Sequence, residues 1–183
     1  MNCARDMTFW SLQGPGWLLL VYLLIAQAPA AFSYELGVAM GTQEPAGMIS
    51  EVGTAFWHGF AIADTIIYIP LLFLGLIGHL RERPWARVAL SAALGISVYW
   101  PLVCLSAMVC ARDAAGWDLI GEGPYWIVCL TIAAWGIWGL WVLLRPTDSE
   151  GSGVPTPCDG RREIRAGNRG YRHTHHGAVD SAP

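Results

Sequence analysis

Asp64 is the residue of this sequence most able to do chemistry, because it lies inside a long apolar run. It follows Trp57, where the run begins, by seven residues, so a helix places it about 10 Å from the nearer edge of the run. A carboxylate near the centre of a membrane costs about 2.5–3.5 kcal/mol, and such acids often form ion, proton or ligand sites. We therefore expect Asp64 to face other helices and not lipid.

Several further polar residues lie at a similar depth. Gln27, Asp64, Tyr99 and Thr131 lie one in each of the four apolar runs, in the same half of the membrane. Tyr68 follows Asp64 by one helical turn. The predicted ligand-binding residues are Asp64, Tyr68, Tyr99, Gln27 and Thr131. The alternative is a set of interhelical hydrogen bonds that only hold the bundle together, at about 0.6 kcal/mol each. The sequence leaves both interpretations open.

The helical wheel predicts which faces pack together. The face of Asp64 also carries Tyr68, Leu71, Gly75 and Gly78. The third apolar run offers a face of small or polar residues, namely Ala92, Gly95, Tyr99, Ser106 and Cys110. Glycines let a neighbouring backbone approach closely, so we expect these two faces to be in contact.

The sequence carries no motif for covalent catalysis or for a metal. Glycine-rich phosphate loops, a Ser-His-Asp order and the HExxH pattern are all missing from it. His58 is close to Asp64 along the chain but lies about 120° away on the helical wheel. We therefore predict no catalytic residue, no metal, no cofactor and no nucleic-acid partner.

The elements that position these residues are four apolar runs, each long enough to cross a hydrocarbon core of about 30 Å. They are Leu12–Phe32, Trp57–Leu80, Trp85–Cys110 and Pro124–Leu144. The chain is 54% hydrophobic and 14% charged, against about 25% charged residues in soluble domains. The predicted fold class is all-α, a four-helix transmembrane bundle over residues 1–145. Residues 146–183 have almost no large apolar side chains and are predicted to be a disordered cytoplasmic tail.

The arginines predict the orientation. Ten of the eleven basic residues fall before the first run, between the second and third, in the first turn of the third (Arg87), or after the fourth, and Arg112 is the exception. The positive-inside rule then places both termini in the cytoplasm. The absence of lysine and the heavy use of Ala, Gly, Trp and Arg are typical of a GC-rich bacterial genome. We predict a multi-pass protein of a bacterial inner membrane.

The connections between runs are also predictable in outline. The segment 33–56 faces outward and is expected to hold a short interfacial helix around Met48–Phe56. The loop Arg81–Pro84 is so short that its two helices must be antiparallel neighbours. Aromatic residues at the ends of runs are expected to sit at the lipid headgroups. They include Trp10, Trp57, Trp85, Trp117, Tyr125, Trp126 and Trp141.

The first run has two interpretations. Residues 27–31 resemble the small-residue cleavage region of a secretory signal, which favours removal of the run. The run nevertheless has 21 residues over 12–32, and Asp6 offsets the charge of Arg5 before it. These two features favour an uncleaved helix.

The leading functional interpretation is a small membrane protein that binds or passes a small solute or a proton at the Asp64 layer. Its partners would be the lipid bilayer and further copies of the chain, or a larger membrane complex. One alternative is a non-catalytic accessory subunit that docks through a small-residue face such as Gly136 and Gly139. The other is a membrane enzyme acting on a lipid or quinone, with Asp64 as acid or base.

Overall fold

The computed structural model describes residues 3–119 and 121–145, which are helical over most of their length. The α-helices are α1 (Cys3–Phe32), α2 (Tyr34–Ala39), α3 (Ala46–Ala63), α4 (Ile69–Leu80), α5 (Ala86–Ala111) and α6 (Gly123–Leu144). A π-helical turn, Asp64–Tyr68, joins α3 to α4. The predicted disordered tail, residues 146–183, lies outside the described residues.

Four helical segments of the described chain are long and apolar enough to cross a membrane. They are Met7–Phe32, Ala46–Leu80, Ala86–Ala111 and Gly123–Leu144. Each corresponds to one predicted span, and Pro124 stands in the first turn of its helix as expected. The predicted all-α, four-helix transmembrane fold class is thus confirmed over the described residues.

The second segment is longer than its predicted span. Its 35 residues reach about 52 Å at 1.5 Å per residue, so its first turns extend beyond the hydrocarbon. The expected interfacial helix around Met48–Phe56 is therefore part of this one rod. Ser50, with φ 66° and ψ 167°, interrupts the helical backbone near the start. Its hydroxyl accepts a hydrogen bond from the N–H of Gly53 at 3.3 Å and so caps the longer part of the rod.

The two ends of the bundle differ in charge. The acidic end holds the connections 33–45 and 112–122 with Glu35, Glu44, Arg112, Asp113, Asp118 and Glu122. The basic end holds the turn 81–85 and the last turn of α6 with Arg81, Arg83, Arg87 and Arg145.

A tight turn makes α4 and α5 antiparallel neighbours, as predicted. The N–H of Arg83 donates to the carbonyl of Gly78 at 2.9 Å, which closes the chain back on itself. Farther along, a Cβ built on Gly75 would lie 2.9 Å from the Cα of Leu90. The two backbones therefore touch at Gly75, and the expected role of this glycine face is confirmed.

The helices α5 and α6 meet through two more glycines. A Cβ on Gly136 would lie 3.1 Å from the carbonyl oxygen of Leu94, and one on Gly139 would lie 2.9 Å from side-chain atoms of Leu12 and Leu94. The face that the accessory-subunit hypothesis left free for a partner is therefore occupied within the bundle. At the basic end the guanidinium of Arg87 donates to the carbonyl of Leu143, a backbone group that the end of α6 leaves without a helical donor.

The prediction for the packing face of α5 is wrong. Gly95 has no atom within 4 Å of an added Cβ, and Tyr99 is 65% exposed. The buried face consists of Leu90, Ala93, Leu94, Ser97, Trp100, Cys104 and Met108. The contacts with Gly75 and Gly136 fix this rotation, and Tyr99 lies about 180° around the helix from Leu90. The buried face of α5 is therefore the one that allows close backbone contact with α4 and α6, and not the one with the most polar side chains.

The helix α1 is built into the core. Its buried residues are Leu12, Gln13, Leu19, Leu20, Leu23, Ala26, Gln27 and Ala30. Near the basic end the amide nitrogen of Gln13 contacts the carbonyl of Leu76 at 3.1 Å and Nδ1 of His79 at 3.0 Å. The indole of Trp135 on α6 donates to the carbonyl of Ser11 at 3.2 Å. A chain cleaved within residues 27–31 would lose this whole side of the core.

The glycine contact between α5 and α6 predicts a difference between two substitutions. Gly136→Ala forces a methyl group against the backbone of α5 and should lower the free energy of unfolding by about 1–3 kcal/mol. Gly95→Ala, also within a span, meets open space and should leave this free energy unchanged or slightly higher. Unfolding of both variants in mixed micelles measures the difference. Equal losses would contradict the described rotation of α5.

Candidate functional site

Asp64 opens the π-helical turn, and Pro70 gives a physical reason for that turn. In a regular α-helix the proline ring would collide with the carbonyl of Ile66, four residues earlier. The wide turn ends directly before this position, and the N–H of Ile69 donates five residues back to the carbonyl of Asp64. Such turns often occur at functional sites. The local backbone around the one deeply placed acid is therefore irregular.

The Asp64 carboxyl group is buried and unpaired. Its residue is 4% exposed, and the atom Oδ2 has no hydrogen-bond partner among the described residues. No other described side chain donates to it. Asp64 is therefore not part of the interhelical hydrogen bonding that the structural alternative assigned to it.

Tyr68 and Ser97 supply a hydrogen bond between α4 and α5 instead. Their hydroxyl oxygens are 2.5 Å apart, and the Ser97 hydroxyl donates to the carbonyl of Ala93 at 3.0 Å. Because a serine has one hydroxyl hydrogen, Tyr68 must be the donor to Ser97. Both residues are buried, so each hydroxyl is fully satisfied away from water.

The predicted polar layer forms only in part. Gln27, Asp64 and Tyr68 are buried, as expected. Tyr99 and Thr131 are exposed on the outside of the bundle, so the expectation that they line an interior site is wrong. The hydroxyl of Thr131 donates to the carbonyl of Ile127 at 2.7 Å, which satisfies it within its own helix and lets it face lipid.

A cavity of about 300 Å³ lies toward the acidic end. Residues of α1, α3, α5, α6 and the two acidic-end connections line it. Six of them are aromatic, namely Tyr22, Tyr34, Trp57, Trp100, Trp117 and Tyr125. Gln27 is the one predicted site residue in this wall, and its amide makes no hydrogen bond to the described residues. Asp64 does not line the cavity, although it lies within electrostatic range of Tyr22 and Cys104, which do.

Hydrogen bonds from the connection 112–122 to the start of α3, and within the connection 33–45, close the cavity at the acidic end. The N–H of Asp118 donates to the carbonyl of Met48 at 2.8 Å, beside a β-bridge between Ile49 and Trp117. Tyr34 donates its hydroxyl hydrogen to the carbonyl of Glu44 at 2.9 Å. Burial and, secondly, the charge of Glu44 raise the pKa of Tyr34 to about 12, so this phenol stays a neutral donor.

The cavity wall between α1 and α6 is thin. These helices meet toward the basic end, where Leu12 lies against Gly139. Toward the acidic end Tyr22 and Val128 line the cavity from the two helices and are still 44% and 43% exposed. Val128 lies about 7 Å below the start of its helix, and Tyr22 lies about 15 Å below the end of its own. The wall thus faces the surroundings of the bundle at membrane depth.

The cavity has one formal charge among its described lining residues, the carboxylate of Glu44. Its Oε1 accepts a hydrogen bond from the hydroxyl of Tyr125. The basic residue nearest in the chain to Tyr125 at this end, Arg112, forms an ion pair with Glu122. The hydrogen bond from Arg112 holds the pKa of Glu122 below its ordinary value, and the same bond raises the pKa of Arg112. The positive charge of Arg112 is thus engaged outside the cavity.

Metal ligands do not cluster in the described residues, where no three His, Cys, Asp or Glu side chains come together in a way that could hold an ion. No protein-family model, curated protein or solved structure matches the chain. The geometry of this chain alone must therefore carry a functional argument.

Sequence reasoning missed most of the cavity. Trp57, Trp117 and Tyr125 were predicted to be headgroup anchors, and Tyr22, Tyr34 and Trp100 were given no role. A usable signal was the recurrence of aromatic residues in the half of each of the four spans nearer the acidic end. Helix rotation, which decides whether such a ring faces lipid or the interior, is not encoded in that signal.

The hydrogen-bonding pattern predicts opposite effects at two buried positions. Ser97→Ala leaves the Tyr68 hydroxyl buried without an acceptor and should cost about 1–3 kcal/mol of unfolding free energy. Asp64→Leu replaces an unpaired buried carboxyl with an apolar group of similar size and should leave stability unchanged or higher. Unfolding in mixed micelles tests both. A loss at Asp64→Leu as large as that at Ser97→Ala would restore the structural role of Asp64.

Proposed function

We propose that this integral membrane protein binds one small, mostly apolar molecule in the aromatic cavity and admits it from the bilayer between α1 and α6. The observation that carries the proposal is the cavity itself, about 300 Å³ with a thin wall at membrane depth. Ligand sites typically have volumes of about 300–1,000 Å³, apolar and aromatic walls and a few polar groups. This cavity has all three properties.

The orientation that we propose places the acidic end outside the cytoplasm. Arg81, Arg83, Arg87 and Arg145 are at the basic end, whereas Arg112 is the one described cation at the other. By the positive-inside rule the basic end faces the cytoplasm. In a bacterial inner membrane the ligand would then enter from the outer leaflet.

Binding is better supported than catalysis. The enzyme hypothesis assigned Asp64 the role of acid or base, but a catalytic group must reach its substrate. Asp64 does not line the cavity. The accessory-subunit hypothesis is weakened because the small-residue face at Gly136 and Gly139 packs inside the bundle.

Native mass spectrometry of the full chain, extracted from its own membrane into lipid nanodiscs, tests the proposal. We expect a reproducible small-molecule adduct on the wild-type protein. Cys129, a buried cavity residue on α6, provides the matching variant. Cys129→Phe fills part of the cavity and should remove most of the adduct.

The control is Thr131→Phe on the same helix. Thr131 faces outward, so the added ring enters lipid and the adduct should persist. A thermal unfolding scan of both variants checks that they are folded. An adduct lost from Thr131→Phe but kept by folded Cys129→Phe would overturn the cavity proposal in favour of the originally predicted polar layer.

A further inference from the structure

We infer that the ligand is a small organic cation, an ammonium group with apolar substituents, held by aromatic rings and by Glu44. This inference rests on the proposed function, because it names the chemistry of the molecule that the same cavity binds. It follows from the aromatic rings and the carboxylate that line the cavity, and from the small number of hydrogen-bond donors in its wall.

Four of the six aromatic lining residues have their polar atoms buried or engaged, which leaves mainly ring surface for a ligand. The indole nitrogens of Trp100 and Trp117 have essentially no accessible surface, although both residues line the cavity. The hydroxyl groups of Tyr34 and Tyr125 are both engaged with Glu44, through its main chain and its carboxylate respectively. Ring faces attract cations, most strongly for tryptophan, and quaternary ammonium groups are the usual ligands of such aromatic walls.

Glu44 provides the matching charge. Its side chain is half-buried, and among the described residues Oε1 has Tyr125 as its donor whereas Oε2 has no partner. No described lining residue carries a positive charge that would neutralise it. An ammonium group in the cavity would supply the missing counter-ion.

The surface around the cavity favours the same ligand. Glu35, Asp113 and Asp118 are exposed at the acidic end, and the one described cation there, Arg112, is paired with Glu122. A surface with this excess of negative charge raises the local concentration of cations. The interfacial region of the membrane also collects cations that carry apolar groups, since these place the charge in water and the rest in lipid.

A neutral ligand that needs hydrogen-bond donors finds few of them in this wall. A carbonyl compound would need free N–H or O–H groups, but two of the three indole nitrogens are inaccessible and two of the three phenols are engaged. The amide of Gln43 is turned to the carbonyl of Ala26 at 3.5 Å. Gln27, Trp57 and Tyr22 carry the side-chain N–H and O–H donors of the described wall that are left without a hydrogen-bond partner.

Equilibrium dialysis with an isosteric pair of probes tests the inference. Benzyltrimethylammonium is the cation, and neopentylbenzene has the same shape with carbon in place of the charged nitrogen. The full chain in nanodiscs is dialysed against each probe, and empty nanodiscs correct for partition into lipid. We expect the wild-type protein to bind the cation about tenfold or more tightly than its neutral isostere.

Glu44→Gln keeps the shape of the side chain and removes its charge. It should lower the affinity for the cation by about tenfold while leaving that for neopentylbenzene unchanged. Glu35→Gln removes an equal charge at an exposed position of the same connection, outside the cavity, and should lower the affinity for the cation far less than Glu44→Gln does. If Glu44→Gln disturbed the fold, the isostere would also be lost, and the wild-type comparison would still decide.

The outcomes separate this inference from the function on which it rests. Equal wild-type affinities for the two probes would overturn the cation inference and leave an apolar binding cavity in place. Binding of neither probe would count against both proposals. A cation preference that persists in folded Glu44→Gln would remove Glu44 from the site.

Discussion

The close contact of α5 with both α4 and α6 is the constraint on which the rest of the structure depends. Lipid provides no hydrophobic force between helices, so close packing over small residues holds them together. Gly75 on α4 and Gly136 on α6 bring these two backbones against the Leu90–Ser97 face of α5. With α5 held from two sides, its rotation is fixed, and so is the outward direction of Tyr99.

The cavity is a consequence of this arrangement. The fourth member of the bundle, α1, reaches α6 at the basic end through Leu12 and Ser11, but toward the acidic end the two helices leave a space between Tyr22 and Val128. Large aromatic side chains line that space without filling it. The connections at the acidic end then close it, one held to the start of α3 by the Asp118–Met48 main-chain hydrogen bond and the other to α6 through Glu44 and Tyr125.

The elements were predictable from the sequence, whereas the site was not. Span length and the short Arg81–Pro84 loop are local properties, because apolar run length and turn length are read directly along the chain. Burial of Asp64 also followed locally from the cost of a carboxylate in lipid. The contacts of each helix face are made with residues far away in the chain. Tyr125, for example, donates to Glu44 across 81 positions, and the periodicity of the sequence does not predict such a contact. Thr131 and Tyr99 were misplaced because a hydroxyl satisfied within its own helix, or an amphipathic ring, tolerates lipid.

The π-helical turn gives the second span an unusual tolerance of a change in chain length. Such a turn is equivalent to one residue inserted into an α-helix. Deleting a single residue between Asp64 and Tyr68 would therefore restore the regular helix and leave Trp57 and Gly75 at nearly their present relative rotation. If the same residues instead wound as a regular α-helix without the deletion, everything before the turn would rotate by about 100° relative to Gly75, and Trp57 would leave the cavity wall. Over evolutionary time this segment should lose or regain one residue more readily than the regular helix on either side of it.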